Sequence, residues 1–369
     1  MLGMGENREI DKRYYGDCSI VIRMDYAEDQ IFILVDSNTR ELCLPHLRDL
    51  LYNKFALPVL EENVLVIPAG EEHKSIETIL PLWHALDERK ATRKALLINL
   101  GGGVVTDMGG FVASTYRRGI DYINVPTTLL SMVDAGHGGK TGFDFDGLKN
   151  EIGTFYAPKN VWIVPEFLKT LPREEMLSGY AELIKHALLS GDEALNEAFM
   201  NLPLFFKLNE ATDEQMAVVE RMINESIAVK QHVVELDPTE KGLRKCLNLG
   251  HTVGHAVEEL SFEECKPLRH GYAVMVGLVA EAWLSSQVKG LDKKVVDNLA
   301  SCMSIYYGLL RIRESHFDGM IELMRNDKKN ASANEINFTL LSAVGEYEVN
   351  QTVSKEMIIE AMKFINDVI

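Results

Sequence analysis

Up to about Leu171 the chain alternates short apolar runs with amphipathic stretches, and this alternation restricts the fold more than any other feature of the sequence. Ile31–Asp36, Val64–Ile67, Ala95–Leu100, Tyr122–Val125 and Val161–Val164 have the length of strands and are apolar but for single interior asparagines, Asn99 and Asn124, and the terminal Asp36, so each is expected to be covered on both faces. The stretches Ser75–Lys90 and Val105–Tyr116 between them carry helical spacing. Strand and helix in alternation is the pattern of an open parallel sheet with helices on both sides. Residues 1–172 are therefore expected to form a Rossmann-like, doubly wound α/β domain. From Arg173 onward the pattern is helical, apart from a hairpin expected at Ile336–Leu341 and Glu346–Val349. Residues 173–369 are read as a mainly α-helical second domain, and 369 residues suffice for two cores.

Acidic residues outnumber basic ones 55 to 38, a formal net charge of −17, so nucleic acid and anionic membrane are not expected partners. No apolar run reaches membrane-spanning length and the first ten residues lack a signal-peptide core, which points to the cytoplasm. Cys18, Cys43, Cys246, Cys265 and Cys302 are odd in number and contain no CxxC, so reduced and mostly buried thiols are expected. Against the acidic background, Arg118, Lys140, Lys149, Lys185, Lys230 and Arg244 gather in or near segments marked by Gly and His. Each alone reads as a surface charge. Together they suit an anionic small molecule carrying phosphate or carboxylate.

The strand ending at Leu100 runs into Gly101-Gly102-Gly103-Val104 and then a helix. Glycines at such a junction let backbone amides approach a pyrophosphate, although a tight turn without a ligand has the same composition. Asp36, at the end of the first strand, could accept ribose hydroxyls or cap the next helix.

A third constellation is polar. Arg244, Asn248, His251 and His255 follow at intervals of four, three and four, which on a continuous helix would place all four on one face. A solvated face would look similar. Glu182, three residues before Lys185, and His270 add a carboxylate and a third imidazole, enough for a catalytic zinc site with an open position. The spacing leaves His251 and His255 as equal candidates for the ligand.

Read in order, Gly70-Glu71 with Lys74, Gly101-Gly-Gly with Asp107, Tyr116-Arg-Arg-Gly119, Val125-Pro-Thr-Thr-Leu-Leu130, Val133-Asp134, Gly138-Gly-Lys-Thr-Gly142, Lys149-Asn150, Gly179 to Lys185, Gly242 to His255, His270-Gly271 and Asp327-Lys-Lys329 resemble the 3-dehydroquinate synthase family, sugar-phosphate cyclases of the shikimate pathway. The resemblance implies that fold, a homodimer, and NAD with Zn²⁺, for which Co²⁺ can substitute. It implies Glu182, His251 and His270 as metal ligands and His255 as an acid/base group. Asp36, Asn38, Glu71, Lys74, Gly102, Gly103, Val104, Asp107, Thr127, Thr128, Phe167 and Thr170 would touch NAD. Arg118, Asp134, Lys140, Lys149, Asn150, Lys185, Lys230, Arg244, Asn248 and Lys328 or Lys329 would surround the substrate, with Lys140, Asn248 and Arg244 near the chemistry. The implied reaction converts 3-deoxy-D-arabino-heptulosonate 7-phosphate to 3-dehydroquinate and phosphate by transient oxidation, elimination, re-reduction and aldol closure. A sister cyclase, a polyol dehydrogenase or a non-catalytic nucleotide-binding regulator would share much of this pattern. Two positions depart from it: Tyr272 stands where His-Gly-Glu is commoner, and His137 precedes Gly138 in place of a small residue.

Overall fold

The structure, a computed structural model, describes residues 26–146, 148–237, 240–308, 311–326 and 335–368. These divide into two compact units: residues up to Pro172 with Thr212–Glu220, and Arg173–Ala211 with the residues from Arg221 onward.

The strands of the first unit are β1 (Ile31–Asp36), β2 (Val64–Ile67), β3 (Leu96–Gly101), β4 (Asp121–Pro126), β5 (Lys140–Phe145), β6 (Leu148–Phe155) and β7 (Asn160–Val161). Five of them form a sheet in the order β2-β1-β3-β4-β7, every pairing parallel. The connections from β1 and from β3 leave in opposite directions, so the crevice beyond the carboxyl ends of these two strands is the sheet's switch point. The helices are α1 (Ser37–Leu42), α2 (Leu44–Phe55), α3 (Ile76–Glu88) and α4 (Gly103–Thr115). Phe32, Leu34 and Leu97 of the sheet share a buried cluster with Ile79, Leu82 and Leu86 of α3 and Val105, Met108 and Val112 of α4. Each such side chain contributes about 1.5–3 kcal/mol on burial. One polar rung crosses this core: Asn99 Nδ2 donates to Asn124 Oδ1 at 3.0 Å, and Asn124 Nδ2 donates to the Gly136 carbonyl at 3.1 Å. Asn99 and Asn124 are register partners, so a slip of one residue would bury both amides unpaired.

Two features of this unit differ from the sequence expectation. The strand expected at Val161–Val164 pairs only at Asn160 and Val161, because Pro165 opens a 3₁₀ segment to Thr170 and restricts the residue before it. Lys140–Phe145 and Leu148–Phe155, not read as strands, pair antiparallel, with Gly142 opposite Gly153 where the backbones are closest. Their glycines and exposed apolar residues hide the alternation on which strand recognition depends.

The second unit contains α5 (Arg173–Ser190), α6 (Asp192–Phe205), the greater part of α7 (Asp213–Leu236), α8 (His251–Glu263), α9 (His270–Val288), α10 (Lys293–Cys302), α11 (Phe317–Asn326), a hairpin of β8 (Phe338–Ala343) and β9 (Glu346–Gln351), and α12 (Lys355–Asp367). Helix α9 is buried nearly all round, with α5, α8, α10, α12 and β8 packed on it. Its sequence is correspondingly apolar on every face, as a central helix must be. No helix of the described residues is long and apolar enough to cross a membrane.

The single helical face expected for Arg244, Asn248, His251 and His255 is not formed. Arg244 and Asn248 lie in a short 3₁₀ helix, Leu243–Asn248, Leu249 is non-helical, and Gly250 turns the chain with φ +77° before α8 begins at His251.

Candidate active site

In the helical unit, three elements each deliver one side chain able to ligate a metal. Glu182 lies in the middle of α5, while His251 and His270 are the first residues of α8 and α9. One ligand atom from each lies within 4.8 Å of the others. Glu182 Oε1 is 3.3 Å from Nε2 of His251 and 3.3 Å from Nε2 of His270, yet this fully buried oxygen accepts no hydrogen bond. The other face of each ring is accounted for: His251 Nδ1 lies 3.1 Å from the Leu249 carbonyl, and His270 Nδ1 lies 3.1 Å from Glu258 Oε2. With Nδ1–H donating to those oxygens, each Nε2 presents a lone pair beside the carboxylate. Two imidazole lone pairs and a carboxylate oxygen converging in this way fit a divalent cation such as Zn²⁺, with a fourth position open. Burial opposes charge on His270, but Glu182 and Glu258 outweigh it and push its pKa up to about 9. The same carboxylates thus also attract a proton to the ring, which a bound cation would have to displace. Burial likewise opposes ionisation of Glu182, and Lys185 and the two histidines outweigh it, holding that carboxyl well below its ordinary value.

Glycine brings the ligand-bearing helices together. A Cβ on Gly271, beside His270, would stand 1.9 Å from the Ser178 carbonyl of α5, one turn before Glu182. A Cβ on Gly277 would stand 1.8 Å from the carbonyl of Gly250, beside His251. Backbone contact at both points leaves no room for a side chain. His255, one turn along α8, places its ring centroid 5.3 Å from that of His251 and 6.1 Å from that of His270. It adjoins the trio but is not within the converging set.

The neighbouring polar residues are placed as follows. Lys185 is buried and pairs with Glu182 Oε2. Arg244 is buried, and its backbone N–H donates to Asp237, whose carboxyl also accepts from Gly242 and Lys241 and is held below its ordinary value chiefly by the Gly242 bond. Asn248 Nδ2 donates to Glu240 Oε1 at 3.3 Å, and Lys230 is half-buried on α7. Lys328 and Lys329 lie outside the described residues.

In the sheet unit, the carboxyl ends of β1 and β3 flank the switch point. Asp36 caps α1, its Oδ1 accepting from the N–H groups of Asn38 at 2.9 Å and Thr39 at 2.8 Å, so the capping alternative raised by the sequence is realised. Gly102 is the N-cap of α4, where Gly103 and Val104 begin the helix, and a Cβ on Gly102 would press on Thr128 at 3.0 Å. Thr127 donates its N–H to the Gly101 carbonyl at 3.0 Å. Phe167 and Thr170 lie in the 3₁₀ segment after β7, Phe167 buried against the His46 ring at 5.4 Å. Glu71 and Lys74 line a cavity of about 350 Å³ with Asp144 and Phe145. Lys74 Nζ donates to Asp107 Oδ2 at 2.7 Å and to Asn150 Oδ1 at 2.6 Å. Burial opposes its charge, but Asp107, Glu71 and Asp144 outweigh it, so Lys74 titrates above the ordinary lysine value. Asn150, expected beside the substrate, is thus bonded to Lys74, which with its partner Asp107 is expected at the cofactor. Asp134 is half-buried in a π turn after β4, and Lys140 and Lys149 are exposed on the β5–β6 hairpin. Arg118 is exposed with φ +65°, directly after Arg117 at φ +50°. The arginine projects from a tip of unusual backbone and makes no ion pair among the described residues.

Sequence reading passed over Glu240, Glu258 and Glu281. Glu258 was accessible to it, since it follows His251 by seven positions on the same helix. Glu240 sits in a loop and Glu281 in an apolar helix, where spacing carries no signal.

Residues 64–178 match the 3-dehydroquinate synthase N-terminal family and residues 179–330 the 3-dehydroquinate synthase C-terminal family. The chain is 43% identical over 340 residues to 3-dehydroquinate synthase of Parabacteroides distasonis, covering 92% of each. It is 43% identical over 299 residues to the Pyrococcus abyssi 3-dehydroquinate synthase, covering 81% of this chain and 84% of that one. Among solved structures, 2-epi-5-epi-valiolone synthase from Streptomyces hygroscopicus subsp. jinggangensis 5008, with NAD⁺ and Zn²⁺ bound, superposes with a TM-score of 0.79 at 24% identity over 98% of both chains. A 2-deoxy-scyllo-inosose synthase complexed with carbaglucose-6-phosphate, NAD⁺ and Co²⁺ gives 0.72 at 22% identity, over 95% of this chain and 96% of that one. Those two share the fold, a parallel sheet unit followed by helices. Matched in both halves, and at this identity over nearly its whole length, the chain belongs to the 3-dehydroquinate synthase family.

Proposed function

We propose that the chain is a 3-dehydroquinate synthase, converting 3-deoxy-D-arabino-heptulosonate 7-phosphate to 3-dehydroquinate and phosphate. The convergence of Glu182, His251 and His270, each imidazole backed by a second oxygen, carries this reading beyond family membership. The helical unit would serve as the metal domain and the sheet unit as the NAD domain. When bound, the metal supplies Lewis acidity at a substrate hydroxyl, and NAD supplies a hydride acceptor that is regenerated within the cycle.

The chain's own residues do the rest. His255, one turn from His251, is assigned the movement of the hydroxyl proton at an imidazole nitrogen. Lys185 balances the charge of Glu182, which keeps that carboxylate ionised in a buried setting. Lys74, held charged by Asp107, is assigned to the cofactor with Glu71, and Asp36 is assigned to its ribose through the carboxylate oxygen not engaged in capping. The amides at the start of α4 are assigned to its pyrophosphate. Arg118, Lys140, Lys149, Lys230 and Arg244 are the cations assigned to the substrate's phosphate and carboxylate, with Asn248 and Asp134 for its hydroxyls. Two finer readings belong to the same proposal. A homodimer is supported by apolar side chains exposed at both ends of the β5–β6 hairpin, Phe145 and Leu148 facing each other at its turn and Phe155, 84% exposed, at its open end, and by Arg118, which makes no ion pair among the described residues. A reducing cytoplasm is supported by the free thiols of Cys43, Cys246, Cys265 and Cys302, the cysteines among the described residues.

The test is phosphate release from the heptulosonate phosphate with Zn²⁺ and NAD. Many turnovers are expected while the reduced-nicotinamide absorbance stays flat. NADH accumulating with a simple polyol, and no phosphate released from the sugar phosphate, would replace the synthase reading with a dehydrogenase.

A further inference from the structure

Helix α8 begins at a metal-ligand candidate and has no cap of its own. Its N-cap residue is Gly250, which has no side chain, and the segment from Leu249 to Gly254 is buried, so water does not reach the first amides. The first N–H groups of any helix lack partners within it, and leaving them unpaired in the interior is costly. Here the partner comes from another helix. Glu281, fully buried on α9, accepts the Gly250 N–H through Oε2 at 2.7 Å and those of Thr252 and Val253 through Oε1 at 3.1 and 3.3 Å. Those three amides bracket His251.

We infer that Glu281 is a positioning residue for the metal centre: by gripping the backbone on both sides of His251 it fixes the direction of that residue's Cα–Cβ bond and so holds Nε2 against Glu182. Three further observations support a role in aim and not merely in capping. Gly250 has φ +77°, so the chain turns sharply immediately before the ligand, and a bond to its own N–H pins that turn. Glu281 stands on α9, whose first residue is His270, so one carboxylate ties together the helices that carry two of the three candidate ligands. The Leu249 carbonyl that takes His251 Nδ1 belongs to the same pinned segment, so ring rotation and backbone direction are set together. Sequence gives no sign of this, because a lone glutamate in Val-Ala-Glu-Ala-Trp resembles a helix-surface residue. The inference rests on the metal-site reading proposed above.

Glu281→Gln keeps the volume but offers one acceptor oxygen and an NH₂ that faces backbone donors, while Glu281→Asp keeps the charge and withdraws it by one methylene. Both are compared with the wild-type full chain by Zn²⁺ competition against a chromophoric chelator, by the visible bands of the Co²⁺-loaded protein, and by melting of the metal-free protein. Glu281→Gln should weaken Zn²⁺ about 10- to 100-fold and shift the Co²⁺ bands, with Glu281→Asp between it and the wild type. Ser354→Ala, which removes the Ser354 bond to the Met357 N–H at the start of α12, is the structural control and should lower melting without moving either metal readout. Wild-type Zn²⁺ affinity and unchanged Co²⁺ bands in Glu281→Gln, or in Glu281→Asp if the glutamine variant does not fold, overturn the inference. So does an equal loss of affinity in Ser354→Ala. His251→Ala separates the two levels: if it keeps its Zn²⁺ the ligand assignment itself falls, whereas if it loses Zn²⁺ while the Glu281 variants do not, only the positioning role falls.

Discussion

The two units build their chemistry from opposite materials. At the switch point of the sheet unit the groups assigned to the cofactor's pyrophosphate are backbone amides at a strand end, half-buried and set by local geometry, with the side chains of Lys74, Glu71 and Asp36 around them. In the helical unit the working groups are side chains, with a carboxylate that has no exposed surface held among helices in backbone contact. The difference teaches where precision resides. A strand-to-helix turn positions its amides through local geometry alone, whereas Glu182, His251 and His270 meet only if three helices pack at distances that glycine permits. Damage should accordingly spread in the helical unit and stay local in the sheet unit.

The largest effect is expected at the centre itself. Glu182→Gln should leave the purified protein without stoichiometric zinc and lower kcat by on the order of 10³ or more, the several kcal/mol that a Lewis acid provides. His255→Ala should keep its zinc and lose about 10² to 10⁴ in turnover. Metal analysis of the two variants checks both statements, and zinc lost from His255→Ala would make the HxxxH pair joint ligands after all.

Next comes the seam between α8 and α9. A methyl group at Gly277 has a carbonyl 1.8 Å away and nowhere to go, so Gly277→Ala should cost about 1–3 kcal/mol or more and weaken metal binding with it. Denaturant titration and zinc affinity falling together is the expected pattern. A variant that loses stability but binds zinc normally would show that the close approach serves only the fold.

Smaller changes are expected in the sheet unit. Lys74→Met removes an ammonium bonded to Asp107 and Asn150 and should weaken NAD about 10- to 100-fold by calorimetry. Lys74 titrates above 10.5, so its contribution to stability is complete below that ordinary value and is lost only as pH rises through the higher folded one. NAD affinity governed by this lysine should therefore be flat across neutral pH, and a step between pH 6 and 9 would point to another group. The smallest change in stability belongs to Gly103→Ala. Its Cβ would meet only Ala135 at 3.4 Å, so the fold should gain about 0.4–1 kcal/mol while NAD affinity falls. Unchanged NAD affinity would remove Gly103 from the pyrophosphate site.

The same contrast explains what the sequence disclosed. Continuous apolar runs have one physical meaning in an α/β protein, so β1 to β4 are readable from composition alone. Helical spacing is less binding. Gly250 sits in a run that continues the rhythm of Arg244 and Asn248, and a glycine inside a helical pattern does not announce a left-handed turn. The expected common face was therefore lost, although His251 and His255 do share α8. Choosing between these two as ligand took the family pattern, because i and i+4 imidazoles are equally able to bind. Asp36 shows the reverse case, a residue with two good uses of which the first, capping, depends only on its immediate neighbours and so is always realised. Glu240, Glu258 and Glu281 matter through partners distant in the chain or through burial, and neither is written in local sequence.

The contact of Gly271 with Ser178, and of Gly277 with Gly250, also bears on the order in which the molecule assembles. Helices α5, α8 and α9 must dock before their ligand atoms converge, so the unfolded chain offers a metal ion no ready-made pair beyond His251 and His255. In small zinc modules the ion recruits the chain. Here the chain must finish its helical core first, and a tightly held ion becomes a late reporter that the core has closed correctly.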